Sequence, residues 1–412
     1  MVLNWFSSVN SVLSVANCFR GSEMKITKVE AIPVWYEPTD EYHALFGSGK
    51  KKGTMVHARE GWFANLQYKE NVFVKISTDE GIVGWGEACA HPVTSETQAG
   101  ILATVELFGR TIMGKDPFQI GAIHAALDHL FLQGNAGARS SIDIALYDIM
   151  GKASNQPIYN LLGGAFQKSF GQLATMPRDT PARMADHAVK LMASGYTCFE
   201  PKMTGHLESL DADADRLEAM IEKVPGSALV IADPNQMWGT AKDTIEILTR
   251  RFSGVANLAI EQPVIYHDLK GLASITAAVP QKVVADEAIQ NLATIIEIAS
   301  GRYADMVSLK LGKCGGFYKA LQMMRIAEAA NLPVRIDWTQ GSALLDTATG
   351  HLHAAVRLVG CDPGMDYQLR IKDRPVKAGG VVLKNIKLVM PETPGLGLTV
   401  DEKLVRKLSQ RR

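Results

Sequence analysis

Short apolar runs recur along the chain after residue 168, and a stretch with helical apolar spacing follows nearly every run. The runs predict strands near 169–175, 196–202, 228–233, 256–261, 282–286, 304–310, 333–338 and 364–369. The stretches between them predict helices near 181–193, 207–223, 239–251, 291–300, 316–330 and 343–358. Continuously apolar strands are typical of a parallel sheet that is covered on both faces. Their alternation with helices indicates a β/α barrel.

The residues before this repeat follow another pattern. Residues 25–35 roughly alternate between apolar and polar, and the segments 71–76 and 81–85 predict a β-hairpin. Helical spacing then follows at 95–110, 117–131 and 136–152. The combination predicts a small α+β unit ahead of the barrel.

The patterns therefore divide the chain into three parts. Residues 1–23 are rich in serine and only weakly apolar, and we expect a disordered extension outside the fold. Residues 24–150 are predicted to form an α+β capping domain, to which residues from about 380 to 412 return. Residues 151–379 are predicted to form the β/α barrel.

Composition excludes several classes of protein. The 43 basic and 43 acidic residues balance, which argues against a nucleic-acid-binding protein. The five cysteines are odd in number and form no C-x-x-C pair, which favours a reduced chain and a cytoplasmic location. No apolar run approaches the roughly 18 residues that a membrane span requires.

Three acidic residues follow neighbouring predicted strands. Asp233, Glu261 and Asp286 are 28 and 25 residues apart, the length of one strand, one helix and two loops. The carboxyl ends of adjacent parallel strands meet at one mouth, where three carboxylates would repel one another. A divalent cation is their natural occupant. Strand alternation lets only one of Asp286 and Glu287 point inward.

Several motifs together resemble a known family. They are the segment 138–148, Asp233-Pro234-Asn235, Glu261-Gln262-Pro263, Ala285-Asp286-Glu287, Lys310 with Gly315-Gly316, and Pro394-Gly395-Leu396-Gly397. With them the chain resembles the enolase superfamily from Lys25 to its C-terminus. Within it, the chain is similar to the muconate-lactonizing branch of the mandelate racemase/muconate lactonizing enzyme family. The resemblance implies an α/β fold, a modified TIM barrel with an α+β capping domain.

The resemblance also implies an activity. Asp233, Glu261 and Asp286, which the family spacing favours over Glu287, would hold Mg²⁺. The metal would bind the carboxylate of a small-molecule substrate and stabilise the enediolate formed when a base removes the α-proton. Lys202 and Lys310 match the family's catalytic lysines at the ends of the second and sixth strands. A homo-oligomer is implied as well.

The reaction itself stays open among three alternatives. Lysines on opposite faces of the substrate suit 1,1-proton transfer, so a racemase or epimerase of an amino-acid-like acid is the first interpretation. A lactonizing cycloisomerase or a dehydratase on a carboxylate substrate begins with the same proton abstraction. The third alternative is a catalytically decayed barrel that binds metal and acid without turnover.

One residue departs from the family pattern. The second strand of this branch usually ends in Lys-x-Lys, and here Glu200 takes the first position. Residues 200 and 202 share a strand face about 7 Å apart. At an effective dielectric of about 20 their charges attract by about 2.4 kcal/mol, which would raise the pKa of Lys202. Either a partner or a substrate cation neutralises Glu200, or Lys202 serves as the acid and Lys310 as the base.

The remaining candidates are substrate contacts. Asn235 is a candidate for a contact to the substrate or to a metal ligand, or for a turn residue. Asp337 and Trp338 end the seventh predicted strand, and alternation lets one of them face the pocket. Trp338 could stack on a substrate ammonium or ring. His351 and His353 lie in an apolar helix and are expected to pack in the core.

Overall fold

This computed structural model describes residues 24–40, 42, 47–48, 51–52, 68–90, 96–205, 208–337, 340–365 and 367–411. The predicted extension at residues 1–23 lies outside these ranges. Within them, no helix combines the length and the apolarity needed to cross a membrane.

The first part of the chain forms a three-stranded antiparallel sheet with three helices. The strands are β1 (Ile26–Tyr36), β4 (Lys69–Thr78) and β5 (Val83–Cys89), in the order β1-β4-β5. Two residue pairs, β2 (Gly47–Ser48) and β3 (Lys51–Lys52), form a separate antiparallel ladder. The helices are α1 (Gln98–Ile112), α2 (Ile120–Leu130) and α3 (Ala136–Ala153). The predicted hairpin and all three helices are confirmed.

Helix α3 is buried along nearly its whole length between the sheet and the rest of the molecule. It lies so close to β5 that a Cβ atom at Gly86 would stand 1.8 Å from the carbonyl oxygen of Ser141. The buried Asp148 carboxylate accepts hydrogen bonds from the backbone N–H of Trp85 (3.0 Å) and of Leu396 (2.9 Å). Helix α3 therefore ties the first sheet to the C-terminal segment.

A curved parallel sheet of seven strands forms the second part. The strands are β7 (Ala174–Met176), β8 (Cys198–Pro201), β9 (Leu229–Ala232), β10 (Leu258–Glu261), β11 (Lys282–Ala285), β12 (Met306–Leu309) and β13 (Val334–Ile336). Their order in the sheet is β13-β12-β11-β10-β9-β8-β7. The helices are α4 (Ile158–Leu161), α5 (Pro181–Ala193), α6 (Leu210–Ile221), α7 (Ala241–Phe252), α8 (Leu269–Ala278), α9 (Leu292–Gly301), α10 (Leu311–Cys314), α11 (Phe317–Ala329) and α12 (Ala343–Ala354).

The predicted eighth strand at 364–369 is wrong. The described residues there include a 3₁₀-helix, Tyr367–Arg370. The segment just before it takes the eighth position, because Val359 bridges Val334 on β13 and the carbonyl of Pro363 accepts a hydrogen bond from the N–H of Leu173 beside β7. The stretch 364–369 alternates apolar and polar residues, so it has no continuous apolar run to bury inside a barrel.

The predicted return of residues 380–390 to the capping domain is also wrong, because these residues pair with a strand outside that domain. Strand β16 (Lys387–Val389) pairs instead with β6 (Ser169–Gly171), the first half of the predicted first strand, and strand β15 (Val382–Lys384) pairs with the other edge of β16. The later residues do reach the first sheet. Strand β17 (Leu398–Val400), paired with β14 (Val376–Gly379), leads into α13 (Glu402–Leu408). Helix α13 packs on β1, and its Glu402 pairs with Lys75 at 2.7 Å.

The two histidines of α12 are core residues, as the sequence predicts. His351 and His353 are both 0% exposed. The Nδ1 atom of His351 accepts a hydrogen bond from the N–H of Tyr159, and its Nε2 atom lies 3.2 Å from the carbonyl of Leu396. Burial lowers the pKa of His351 to about 4 and that of His353 to about 3. Both imidazoles are therefore neutral in the folded protein at neutral pH.

This burial predicts a pH dependence of stability. An unfolded histidine has a pKa near 6.5, so below that pH the unfolded chain takes up protons that the folded chain does not. The stability that these two histidines contribute is therefore full above about pH 6.5 and falls as the pH drops toward 4, with a slope from two protons of about 2.7 kcal/mol per pH unit. The substitution His353→Gln should reduce this slope by about half. Urea unfolding at pH 7.5, 6 and 5 measures it, and an unchanged slope would contradict the prediction.

Candidate active site

The carboxyl ends of the parallel strands bring the predicted site residues together at one end of the sheet. The residues placed there are Glu200, Lys202, Asp233, Asn235, Glu261, Asp286, Lys310 and Asp337. Trp338, the remaining candidate, lies outside the described residues. Lys202 and Lys310 follow β8 and β12, and the strands between these two carry Asp233, Glu261 and Asp286. The two lysines thus flank the row of three carboxylates.

Each lysine pairs with one of the outer carboxylates of that row. The Nζ atom of Lys202 lies 2.5 Å from Asp233 Oδ2 and 3.0 Å from Glu200 Oε2. The Nζ atom of Lys310 lies 2.5 Å from Asp286 Oδ2 and 3.1 Å from Asp337 Oδ2. The candidate acid–base groups and the candidate metal ligands are therefore in direct contact.

Two further cations in the site were not predicted. The Nζ atom of Lys313, on α10, lies 2.6 Å from Asp286 Oδ1. The guanidinium of Arg335, on β13, donates hydrogen bonds to Glu261, to Glu200 (2.5 Å) and to Asp337 (2.9 Å). A signal for Arg335 was present in the sequence, because a residue two positions before Asp337 on a strand shares its face.

Arg335 also explains a second carboxylate cluster. Oxygen atoms of Glu200, Glu261 and Asp337 lie within 4.8 Å of one another, a spacing that could suit a metal ion. All three carboxylates accept hydrogen bonds from the Arg335 guanidinium. This cluster is therefore a guanidinium site, and the row from Asp233 to Asp286 is the better candidate for a metal.

The charges of the site suit a divalent cation. Among the described residues, six buried carboxylates face four cationic side chains, a formal excess of two negative charges. The carboxylates are Glu200, Asp233, Glu261, Asp286, Glu287 and Asp337, and the cations are Lys202, Lys310, Lys313 and Arg335. Two buried oxygens, Glu261 Oε1 and Glu287 Oε2, have no hydrogen-bond partner within the described ranges. Hard oxygen donors of this kind are the preferred ligands of Mg²⁺.

The pKa values of the acids reflect the same imbalance. Burial raises the pKa of Glu261 well above its usual range, and repulsion from Asp233 adds to this against the attraction of Arg335. Burial, with repulsion from Asp286, raises the pKa of Glu287 to about 7. A cation bound between these groups would favour their ionised forms.

Glu200 behaves differently from its neighbours. Burial opposes its ionisation, but the attraction of Lys202 and Arg335 outweighs burial and lowers the pKa of Glu200 to about 2. The hydroxyl of Thr175 also donates a hydrogen bond to it, at 3.1 Å. The cation that neutralises Glu200 is thus a residue of the chain itself, and no substrate cation is required for that purpose.

The lysines are held as ammonium ions by their carboxylate partners. Burial alone would lower the pKa of Lys202, but the attraction of Asp233 and then of Glu200 prevails and raises it. For Lys310, the attraction of Asp286 and Asp337 likewise overcomes burial. A protonated lysine can donate a proton. Accepting one requires the neutral form, and therefore requires that Asp233 or Asp286 be engaged elsewhere.

Two residues hold the loops that carry these groups. Asn235 donates from its backbone N–H and its side-chain amide to the two oxygens of Asp233, at 2.8 and 2.9 Å. The buried Asp213 accepts hydrogen bonds from the N–H groups of Thr204 and Gly205 after β8 and from the indole of Trp238 after β9. Asn235 therefore orients a candidate metal ligand. Asp213 could not be distinguished in the sequence from an ordinary acid in the first turn of a helix.

Comparison with known families identifies the class of protein. The family model "Mandelate racemase / muconate lactonizing enzyme, N-terminal domain" matches residues 56–163. The model "Enolase C-terminal domain-like" matches residues 183–404. The chain belongs to the mandelate racemase/muconate lactonizing enzyme family of the enolase superfamily. The family, the fold class and the assignment to metal-dependent isomerases predicted from the sequence are confirmed.

The chain is also similar to individual members of this family. The chain is 34% identical over 338 residues to a hydrophobic dipeptide epimerase of Enterococcus faecalis, covering 81% of this chain and 93% of that protein. A dipeptide epimerase from the same bacterium, solved with Mg and the dipeptide L-Leu-L-Tyr, superposes with a TM-score of 0.78 at 30% identity, covering 91% and 99% of the two chains. An N-succinyl Arg/Lys racemase from Bacillus cereus superposes with a TM-score of 0.83 at 26% identity, covering 93% and 98%.

Proposed function

We propose that the protein is a Mg²⁺-dependent racemase or epimerase of amino-acid-like acids that removes the proton α to the substrate carboxylate. One observation carries the proposal: Lys202 and Lys310 end strands that are separated by the three strands bearing Asp233, Glu261 and Asp286. A substrate carboxylate bound at the middle of this row would have one lysine on each side of its α-carbon. That arrangement suits removal of the proton from one face and its return to the other.

The metal would be held by Asp233, Glu261 and Asp286. When bound, Mg²⁺ supplies a Lewis acid for the negative charge that develops on the substrate carboxylate. Two observations support this ligand set: the unpartnered oxygen of Glu261 and the excess of two negative charges. The similarity of the chain to a dipeptide epimerase whose structure was solved with Mg also supports this ligand set.

The lysines would exchange protons with the substrate. Once Asp233 and Asp286 serve as metal ligands, their pull on the two ammonium groups weakens and the pKa values of the lysines fall toward the range of a general base. Burial then acts in the same direction, because it disfavours the charged form of a lysine. In each direction of the reaction, one lysine would begin neutral and take the α-proton, and the other would begin protonated and donate.

Solvent deuterium exchange tests the proposal. The protein is incubated with Mg²⁺ in D₂O and a pool of dipeptides and N-succinylated amino acids, the compound classes named for its relatives. We expect replacement of the hydrogen at the α-carbon beside the carboxylate by deuterium, with loss of stereochemical purity and no product other than the epimer. EDTA and a double variant, Lys202→Ala with Lys310→Ala, should both abolish this exchange.

Other outcomes would change the assignment. Deuterium label together with a new compound would identify a dehydratase or a lactonizing cycloisomerase instead. Bound Mg²⁺ without exchange across a broad pool would favour a decayed barrel that only binds metal and acid. The homo-oligomeric state and the cytoplasmic location stay predictions from the sequence.

A further inference from the structure

Arg335 occupies the centre of the candidate site rather than its rim. Its side chain is 0% exposed and reaches from β13 across the inside of the sheet to Glu200 on β8 and Glu261 on β10. It also contacts Asp337, which follows β13 itself. One guanidinium therefore joins carboxylates from three strands.

The three carboxylates connect Arg335 to every candidate catalytic group. Glu200 uses its second oxygen to contact Lys202 at 3.0 Å, and Asp337 uses its second oxygen to contact Lys310 at 3.1 Å. The guanidinium engages Oε2 of Glu261, and Oε1 is left without a partner among the described residues. Each acid thus turns one oxygen toward Arg335 and the other toward the site.

We infer that Arg335 is the positioning residue of the active site: it fixes the carboxylates that aim both lysines and presents one oxygen of Glu261 to the metal. This inference rests on the proposed function and goes beyond it by naming the group on which both lysines and a metal ligand depend. Arg335 acts through these carboxylates and needs no contact with substrate.

The chemistry of arginine suits this role. Its guanidinium is planar and keeps its charge at any physiological pH, and its donors have a fixed geometry that can engage several carboxylates at once. Without such a cation, Glu200, Glu261 and Asp337 would repel one another in a buried space. A lysine at this position would preserve the charge but, as a single point charge, could not hold three carboxylates in fixed orientations.

The substitution Arg335→Lys tests the inference because it separates geometry from charge. We expect the variant to fold but to bind Mg²⁺ about 10- to 100-fold more weakly in titration calorimetry, as when a group that orients a metal ligand is removed. At saturating Mg²⁺, exchange of both substrate stereoisomers should also slow by at least about tenfold, because both lysines lose their supports. A residue that only stabilised the fold would leave the Mg²⁺ affinity unchanged.

A matched control is available in the capping region. Arg139 is also buried, at 3% exposure, and it binds Asp128 and the carbonyls of Leu127 and Phe131 away from the carboxylate row. The substitution Arg139→Lys should leave the Mg²⁺ affinity and the exchange rates within about threefold of wild type. A folded Arg335→Lys protein with wild-type Mg²⁺ affinity and exchange would overturn the inference.

A second measurement needs neither metal nor substrate. Urea unfolding is compared for Arg335→Met, Glu200→Gln and the double variant. We expect the double variant to lose less stability than the two single losses combined, because each single substitution already removes the same ion pair between Arg335 and Glu200. Additive losses would overturn the inference. If wild type neither binds Mg²⁺ nor exchanges deuterium, the proposed function fails, and this coupling still decides whether Arg335 orders the carboxylates.

Discussion

Replacing Lys310 by alanine is expected to slow epimerisation strongly in both directions and to spare deuterium exchange for only one substrate stereoisomer. Lys202→Ala should spare exchange for the opposite stereoisomer. The reason is the position of the two lysines on either side of the carboxylate row, from which each would reach one face of the α-carbon of a bound substrate. Loss of a positioned acid–base group typically costs a factor of 10² to 10⁴, and we expect turnover to fall by about 10³.

The measurement follows each purified stereoisomer separately in D₂O by mass spectrometry and by chiral chromatography. Lys168→Ala serves as the control, because Lys168 is half exposed and pairs with the exposed Glu392 far along the chain. That variant should behave as wild type. If Lys310→Ala lost exchange of both stereoisomers while still binding Mg²⁺, a two-base reaction would be excluded.

Replacing Asp286 by asparagine is expected to weaken Mg²⁺ binding by at least about 100-fold, equivalent to roughly 2.7 kcal/mol. The substitution removes one of the three proposed anionic ligands and leaves Lys310 and Lys313 beside a neutral amide. Repulsion between these two ammonium groups and the metal then adds to the lost coordination. Titration calorimetry with MgCl₂ measures the change directly.

The neighbouring residue provides the matched comparison. Glu287 is also buried but has no ion pair with either lysine among the pairs described. Glu287→Gln should therefore change the Mg²⁺ affinity by less than about tenfold. If Glu287→Gln lost more Mg²⁺ affinity than Asp286→Asn, Glu287 rather than Asp286 would be the third metal ligand.

Strand ends could be predicted from the sequence because each follows a short apolar run at a regular interval. This is why Asp233, Glu261 and Asp286, together with Lys202 and Lys310, are found at one end of a parallel sheet as expected. The same reasoning fails for 364–369 and for 380–390. In both segments the pattern allows a strand, but whether a strand forms and which strand it pairs with depend on contacts with residues far away in sequence.

The two further cations of the site, Lys313 and Arg335, were missed for a different reason. Arg335 sits inside a strand whose apolar neighbours suggest only core packing, and its long side chain acts on β8 and β10, away from its own strand. From the sequence alone, Glu200 indicated that Lys202 would be a weaker catalytic base. Only the spatial pairing of Glu200 with Arg335 shows that the negative charge has an internal partner. The sequence shows on which strand a side chain begins, but only the structure shows which charged group on another strand it contacts.

The packing of α13 on β1 bears on how the protein is made. The contact between Glu402 and Lys75 joins residues 327 positions apart, and Arg406 pairs with Glu30 across a still longer separation. During synthesis the first sheet leaves the ribosome well before α13, yet α13 supplies part of its covering. A nascent chain therefore carries an incompletely covered first sheet until α13 has been translated, and chaperones that bind exposed sheet surface would find a target during that interval.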